Sequence, residues 1–355
     1  MKASRLVLVF AGMLSLLAMA SCNVTIGPTT VSDSGTSAVP TTSSTTFPPL
    51  PTGTTTPRIA TTARPTTTTT KTPQQSHQDA QLVQYVLGLI NKDRADFGHA
   101  PVTLGTNQAA QQHADDMFAG YFLSHWGTDG LKPYMRYTQA GGDNYEGENS
   151  AYAGWYDPAD DPNRWATIDA QSELQQLEYA MMYDDAPSNW GHKDNILNPW
   201  HKKVNIGITY DNHRLAFVEQ FEGDYVQFTQ LPATAGSTLS MSGTATLGNI
   251  DSVGIFYDPP PQPLTNQQLV NGPHSYSLGD QVGFVYAPPP PGYFYTTLPP
   301  NAVQASRWSV NSGVFNIQAD LSLALRRGPG VYTVVIVTKA GTEMLPVTNY
   351  SIFVQ

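Results

Sequence analysis

The chain has 355 residues, enough for two folded domains and additional non-globular segments. Charged residues make up 13% of it, and its formal net charge is -10. Nucleic acids and acidic lipid surfaces are bound by clustered Lys and Arg, which this acidic sequence lacks, so we expect no nucleic-acid partner and no polybasic contact with a membrane.

The first 22 residues predict a signal peptide that ends at the only cysteine of the chain. Two basic residues, Lys2 and Arg5, precede an apolar run over residues 6–20. This run is shorter than the roughly 20 residues with which a helix usually spans a membrane. Small residues stand directly before Cys22, as in the sequence box at which bacterial lipoproteins are cleaved and lipid-modified. The alternative is ordinary cleavage with an incidental cysteine. We expect an extracellular, cell-surface protein whose lipid on Cys22 is its one attachment to the membrane.

Residues 23–77 form a segment dominated by Thr, Ser, Pro and Gly. Ordering a backbone costs roughly 1 to 2 kcal/mol per residue, and this segment has almost no large apolar side chains whose burial could offset that cost. It is therefore predicted to be a disordered, extended stalk.

Residues 78–228 have the periodicity of an α+β domain. A β-hairpin is predicted where apolar residues alternate on both sides of the turn 211–213, and the glycine- and aromatic-rich stretch from Gly147 to Trp165 is predicted to be an irregular loop. The helices are predicted over 79–97, with Asp79 as N-cap, over 107–119 and 167–185, and in short turns at Pro133 and after His192.

Residues 229–355 change to short β-rich runs separated by Pro, Gly and Asn clusters. Such repetition is typical of an antiparallel β-sandwich. The only histidine in this part is His274, beside a proline, so no catalytic group of residues is evident there.

Three residues of the first domain have side chains suited to a polar site: His125, Glu148 and His192. A buried carboxylate needs a partner, and an imidazole is a natural one. Two imidazoles with acids can bind a divalent ion such as zinc, with a position left open for water. They can equally form a hydrogen-bonded group without metal, because the sequence has neither HExxH nor paired-cysteine spacing.

Ordered motifs in this region resemble the bacterial branch of the CAP superfamily, the SCP-like extracellular domains related to cysteine-rich secretory, venom allergen and pathogenesis-related proteins. The resemblance extends over about residues 80–225. It rests on Ser124-His125, Asp129-Gly130 with Pro133 and Arg136, Gly147-Glu148-Asn149, Gly191-His192 with Asn195-Ile196-Leu197, and Val204 with Ile206-Gly207-Ile208.

The resemblance implies an α-β-α sandwich, here followed by the β-sandwich, with a surface cleft that holds two histidines and two acids. His125, Glu148 and His192 fill three of these places, so they are the candidates for metal ligands and for catalytic groups. The fourth place usually lies late in the third long helix, which makes Asp185 the candidate and Asp184 the next one.

Several neighbouring polar and aromatic residues have simpler structural interpretations. Asn149 and Asn195 are expected to brace loops through hydrogen bonds to the backbone, and Arg136 to hold its loop by pairing with Asp129. Aromatic side chains can line the cleft or pack loops, and their density favours a carbohydrate or lipid-like ligand. These aromatic residues are Trp126, Trp155, Trp190 and Trp200.

Three functions follow as hypotheses. The favoured one is an extracellular binding module whose cleft holds a divalent metal such as zinc, or a small ligand, with a protein, lipid or glycan as partner. The second is a metal-dependent, protease-like hydrolase in which His125, Glu148 and His192 activate water. No Ser or Cys lies in a recognisable nucleophile motif, which favours a non-enzymatic role. The third is a structural surface spacer or adhesin.

Overall fold

The computed structural model describes Leu8–Ala11, Ile26–Pro28 and residues 73–355 without 155–166, 274 and 296, with side chains from residue 80 onward. Cys22, Trp155, His274, the predicted signal peptide apart from Leu8–Ala11, and most of the predicted stalk lie outside the described residues. None of the helices in the described ranges is long and apolar enough to cross a membrane.

The helices occur mainly in the first half of the folded chain. They are α1 (Pro73–Asp96), α2 (Ala109–Gly120), α3 (Pro133–Gln139), α4 (Ala170–Tyr183), α5 (Gly191–Leu197) and α6 (Asn266–Val270). Helix α1 begins before Asp79, so the predicted N-cap lies inside it. The N-cap of α4 is Asp169, whose carboxylate accepts a hydrogen bond from the Ser172 amide at 2.8 Å.

The strands continue to the C-terminus. They are β1 (Leu8–Ala11), β2 (Ile26–Pro28), β3 (Thr103–Leu104), β4 (Glu146–Ala153), β5 (Lys203–Tyr210), β6 (Leu215–Glu222), β7 (Val226–Ala235), β8 (Thr238–Ala245), β9 (Asn249–Asp258), β10 (Asp280–Tyr286), β11 (Tyr293–Tyr295), β12 (Ala302–Gln304), β13 (Arg307–Asn311), β14 (Val314–Asp320), β15 (Gly330–Ala340), β16 (Glu343–Pro346) and β17 (Tyr350–Val354).

The first sheet has the strand order β1-β4-β6-β5-β3 and forms the middle layer of three. β5 and β6 are the predicted hairpin, and β4 pairs antiparallel with β6 so that Glu148 lies opposite Gln220. Within the predicted export segment, β1 pairs antiparallel with the other edge of β4, from Leu8 opposite Tyr152 to Ala11 opposite Asn149.

Both faces of this sheet are covered by helices, which produces the α-β-α sandwich. One face packs on α2, where Ala110 and Met117 meet Tyr152 and Val218. We call it the α2 face. The opposite face packs on α1, α4 and α5, and its core includes Ile90, Leu177, Ile196, Ala151 and Phe217. We call it the α1 face. Neighbouring residues of a strand point to opposite faces, so the strand sequence divides its side chains between these two cores.

The predicted irregular loop from Gly147 was wrong for its first part, which is β4. Every residue of β4 is buried, because the strand lies inside the sheet and both of its faces are covered. The buried residues of β4 include the polar side chains of Glu146, Glu148 and Asn149. Polar residues at buried positions remove the apolar alternation by which a half-buried strand is recognised.

The C-terminal region is a β-sandwich, as predicted. One sheet has the order β12-β10-β9-β15-β16, with β17 also paired to β15, and the other has the order β13-β14-β8-β7. The pairings within these two sheets are antiparallel except that of β10 with β12. The predicted division after residue 228 lies inside β7. The shared core includes Leu239, Met241, Val253, Ile255, Phe315, Ile317, Val334 and Ile336.

A long connection between β9 and β10, residues 259–279, lies across the α2 side of the first domain. We call it the strap. Its Leu264 amide donates to the Thr128 carbonyl at 2.9 Å, and Asn266 donates to the Tyr121 carbonyl at 2.9 Å. Gly130 has φ +78°, and a Cβ there would overlap the Gln262 carbonyl oxygen. The strap therefore follows the surface of the first domain closely.

Candidate functional site

Glu148 is the centre of a buried polar cluster on the α2 face. Its Oε1 lies 3.0 Å from Nδ1 of His125, and its Oε2 accepts a hydrogen bond from Nη2 of Arg136 at 2.9 Å. Ser150, two residues along β4 and therefore on the same face, donates to Oε1 at 3.2 Å. His125 and Glu148 have no exposed surface, and Arg136 is 7% exposed. The structure thus brings together two of the predicted site residues.

Helices α2 and α3 place the partners of Glu148. α2 ends at Gly120, and Tyr121 adopts a left-handed backbone conformation with φ 54°, which turns the chain toward His125. Pro133 occupies the first turn of α3, where its missing N–H causes no loss, and Arg136 lies one turn later. Nη1 of Arg136 donates to the His125 carbonyl at 2.8 Å, so the guanidinium fixes the loop as well as the carboxylate.

The predicted pairing of Arg136 with Asp129 is wrong, although the loop-bracing role of Arg136 is confirmed. Arg136 donates to the Leu131 carbonyl at 2.7 Å as well as to Glu148. Asp129 instead accepts the Leu131 amide at 3.0 Å in a local turn. A guanidinium attracts a buried carboxylate such as Glu148 more strongly than a solvated one such as Asp129, because water screens the attraction to the solvated group.

The electrostatic balance at Glu148 favours the ionised carboxylate. Burial by itself would raise its pKa, but the positive charge of Arg136 and the neighbouring imidazoles of His113 and His125 lower the pKa to about 2. Glu148 therefore stabilises the fold above its unfolded pKa of 4.5, and this contribution is lost as the pH falls toward 2.

His113 belongs to the same cluster and was not recognised from the sequence. It lies on the buried face of α2, whose other members are apolar. Its Nε2 lies 2.8 Å from the Ser124 carbonyl and 3.8 Å from Oε1 of Glu148, so Nε2 carries the hydrogen. Burial, and then the charge of Arg136, lower its pKa to about 3.

The strap completes the cluster with Tyr276. The Tyr276 hydroxyl accepts the backbone N–H of Glu148 at 2.9 Å, and its ring lies 4.9 Å from the His125 imidazole, centroid to centroid. Lys132 and Tyr134 of the first domain both donate to Asp258, at 2.7 Å each, just before the strap begins. The C-terminal domain thus covers the α2 face where His125 and Glu148 lie.

The other predicted residues form a second buried pair. Nδ1 of His192 lies 2.6 Å from Oδ1 of Asp185, and Oδ2 of Asp185 accepts the His192 amide at 2.9 Å. Asp185 is 2% exposed, whereas Asp184 is exposed at the end of α4. Among the two acids considered, Asp185 is therefore the one that contacts the histidine.

Asn149 shows where this second pair lies relative to the first. Its Nδ2 donates to the His192 carbonyl at 3.3 Å and to Oε2 of Glu219 at 3.1 Å, while Asn195 donates to its Oδ1 at 3.0 Å. The predicted bracing of backbone is found for Asn149, whereas the Asn195 side chain bonds to the side chain of Asn149 and not to backbone. Asn149 follows Glu148 in β4, so the two side chains point to opposite faces of the sheet. The His192 backbone is therefore held on the α1 face, and the His125 pair lies on the α2 face.

The imidazole nitrogens and carboxylates of the two pairs are the donors that a metal ion would need. Nε2 of His125 and Nε2 of His192 have no hydrogen-bond partner, and each Nδ1 faces a carboxylate, as in many metal-binding histidines. However, no group of three or more His, Cys, Asp or Glu within the described ranges is placed to hold a metal ion. The residues form two hydrogen-bonded pairs rather than one donor set, and the zinc site stays a prediction.

An acidic pair on the α1 face was also missed from the sequence. Glu219 in β6 and Glu178 in α4 are buried side by side, and burial raises the pKa of both. The charge of Glu219 raises the pKa of Glu178 further, whereas the interaction with Glu178 lowers that of Glu219. The pair is held neutral or singly ionised, because two adjacent buried carboxylates cannot both ionise cheaply. The sequence does contain a signal for Glu219: its position in the alternation of β6 places its side chain on a covered face of the sheet.

The tryptophans are not gathered in one cleft. Trp126 packs beside the cluster on the α2 face, and Trp190 is 41% exposed next to Lys193. Trp200 lines a separate pocket between the two domains. The idea of a single aromatic-lined cleft is therefore not supported for Trp126, Trp190 and Trp200.

Comparison with known proteins gives one family match. Residues 87–221 match the family model of CAP, the Cysteine-rich secretory protein family. The matched range contains all four predicted site residues, the C-terminal part of α1, the elements from β3 to β5, and β6 as far as Phe221. A search of curated proteins found no match to the chain.

Replacing Glu148 by alanine is expected to lower the free energy of unfolding by about 3 kcal/mol, because Arg136 would remain as a buried charge without its carboxylate. Denaturant unfolding of the full chain measures this. The control is Asp96→Ala, which removes an exposed carboxylate paired with Lys92 and should change stability by less than about 0.5 kcal/mol. Equal midpoints for the two variants would contradict a structural role for the Glu148 cluster.

His113 should make stability depend on pH. Its pKa is 6.5 when unfolded and about 3 when folded, so below pH 6.5 the unfolded chain binds a proton that the folded chain excludes. Stability is then lost as the pH falls from 6.5 toward 3. Relative to His113→Gln, the unaltered protein should lose about 2 kcal/mol between pH 7 and pH 5. His99→Gln, at a partly exposed site, controls for removal of any histidine. If the free energy of unfolding changed equally with pH in the unaltered protein and in His113→Gln, the predicted role of His113 would be refuted.

Proposed function

We propose that this protein, which carries a CAP domain over residues 87–221, acts as an extracellular-type interaction module and not as a hydrolase. In this proposal the first domain and the β-sandwich work as one rigid unit. The surfaces of that unit bind a partner, and the buried histidines and acids maintain its shape.

One observation carries the proposal: the His125–Glu148–Arg136 cluster is used to join the two domains. The Tyr276 hydroxyl bonds to the backbone of Glu148, and the Tyr276 ring lies against His125. Both oxygens of the Glu148 carboxylate already interact with donors of the first domain. A carboxylate engaged in this way is a poor general base, because its low pKa leaves it little tendency to take a proton.

The second pair has a similar structural use. Asp185 accepts two backbone amides at the start of α5, those of His192 and Lys193, in addition to the His192 ring. A carboxylate at the first turn of a helix satisfies N–H groups that have no partner within the helix. Asp185 thus fixes the position of α5, and His192 is completely buried beside it.

The hydrolase alternative makes a different prediction, which an activity screen can test. The full chain is assayed against broad peptide and glycan libraries with and without added zinc, beside the His125→Ala/His192→Ala variant. We expect equal, background hydrolysis from both proteins. A third protein, Tyr276→Ala, removes the side chain that covers His125, and we expect no gain of activity from it either.

Circular dichroism first establishes that each variant is folded, and His125→Asn replaces the alanine variant if it is not. A rate at least tenfold above that of the folded histidine variant would overturn the proposal in favour of the hydrolase. Activity that appears only in Tyr276→Ala would do the same, and would identify the strap as an inhibitory cover.

We further propose that the module is exported and attached to the membrane through a lipid on Cys22. The support is the sequence before Cys22, with its basic start, short apolar run and small residues. Stable attachment by lipid chains needs more than one acyl group, which the lipoprotein type of modification supplies.

Detergent phase separation tests the attachment in cells that export the full chain. The unaltered protein should partition into the detergent phase, and Cys22→Ser should partition into the aqueous phase, because it lacks the thiol that receives the lipid. Mass spectrometry of the N-terminal peptide shows the added acyl mass directly. Aqueous partitioning of both proteins would show that Cys22 is not lipidated.

A further inference from the structure

A pocket of about 650 Å³ lies between the two domains, outside the His and acid cluster described above. The first domain contributes Tyr145, Trp200 and Tyr225 to its lining, and the β-sandwich contributes Val337 and Met344. Most of the lining is therefore aromatic or aliphatic, and its volume is in the range of pockets that hold small molecules.

Backbone hydrogen bonds across the domain boundary fix the walls of this pocket. The Tyr145 amide donates to the Val347 carbonyl at 3.0 Å, and the Thr246 amide donates to the Tyr225 carbonyl at 2.8 Å. Asn144 adds a side-chain bond, because its Oδ1 accepts the Tyr225 amide at 2.8 Å. The backbones of Tyr145 and Tyr225 are thus held by the β-sandwich as well as by the first domain, which preforms this part of the site.

The charged side chains that line the pocket are acidic. They are Asp194 and Glu343, and no Lys or Arg in the described part of the chain is among the lining residues. His201 also lines the pocket, but burial, and then the nearby Arg94, lower its pKa to about 3, so it is neutral at physiological pH. Burial and the charge of Asp185 raise the pKa of Asp194, and a bound cation would favour its ionised form.

Two further observations indicate which part of the pocket can contact a ligand. Tyr145 is 9% exposed and lines the pocket, and its hydroxyl has no hydrogen-bond partner among the described residues. Lys202 already lies over the Tyr225 ring, with Nζ 5.7 Å from the centroid. The rings left free to face a ligand cation are therefore those of Trp200 and Tyr145.

We propose that this interdomain pocket binds an organic ammonium ion with a compact apolar body. Aromatic faces attract such a cation through their negative electrostatic potential, and the aliphatic walls contact its alkyl groups. Asp194 and Glu343 provide the complementary negative charge, and the Tyr145 hydroxyl provides an oxygen near the cation. This inference does not depend on the proposed absence of hydrolysis, since the pocket shares no residue with the His125 and His192 pairs.

The test compares two probes of the same shape, choline and its neutral carbon analogue 3,3-dimethyl-1-butanol. Binding to the full chain is measured by calorimetry and by ligand-observed NMR at low ionic strength. Choline should bind at least tenfold more tightly than the neutral analogue. Because exposed charges are screened by salt, this preference should decrease as NaCl is raised to 0.5 M.

Variants assign the preference to the pocket. Asp194→Asn/Glu343→Gln should reduce the choline preference to less than threefold, and Trp200→Leu should weaken choline binding at least fivefold. The matched control, Asp96→Asn/Asp251→Asn, removes two exposed charges elsewhere and should keep the tenfold preference. Three results would each overturn the proposal: no binding of choline, equal binding of both probes, or equal loss of preference in the control.

Discussion

The buried carboxylate of Glu148 is the interaction on which the two-domain arrangement depends. It lies on a central strand and receives an imidazole from the loop after α2, a guanidinium from α3 and a hydroxyl from its own strand. An ionised carboxylate survives in a dry interior only when such partners are present. The Glu148 backbone amide then bonds to Tyr276, so the same residue connects the sheet to the C-terminal domain.

This arrangement separates the residues that the CAP resemblance placed together. Strand geometry sends Glu148 and Asn149 to opposite faces, with His125 beside the first and the His192 backbone beside the second. His125 therefore contacts Glu148, and His192 contacts Asp185. The outcome is two structural pairs, one that holds the domain interface and one that holds the start of α5, and these pairs are the basis on which an interaction module is proposed.

Association of the two domains also creates features that neither has alone. The pocket between them takes its aromatic rings from the first domain and most of its aliphatic wall from the β-sandwich. Its backbone is fixed by hydrogen bonds that cross the boundary, including that between Tyr145 and Val347. A junction of this kind offers binding surface without any change in either fold, because its walls are helix α5, the loop after it and strands whose backbone is already fixed.

The sequence by itself determined the main helices, the β5–β6 hairpin and the β-sandwich, because apolar periodicity is a local signal. The resemblance carried by its ordered motifs made Asp185 a candidate site residue, with Asp184 as the next one. The sequence could not determine β4, whose buried polar residues hide its pattern, nor the partner of Arg136, nor the roles of His113, Glu219 and Tyr276. Tyr276 meets Glu148 across 128 residues of chain. Only the tertiary structure decides such contacts, since they depend on how the strap crosses the α2 face and on which charges remain together once water is excluded.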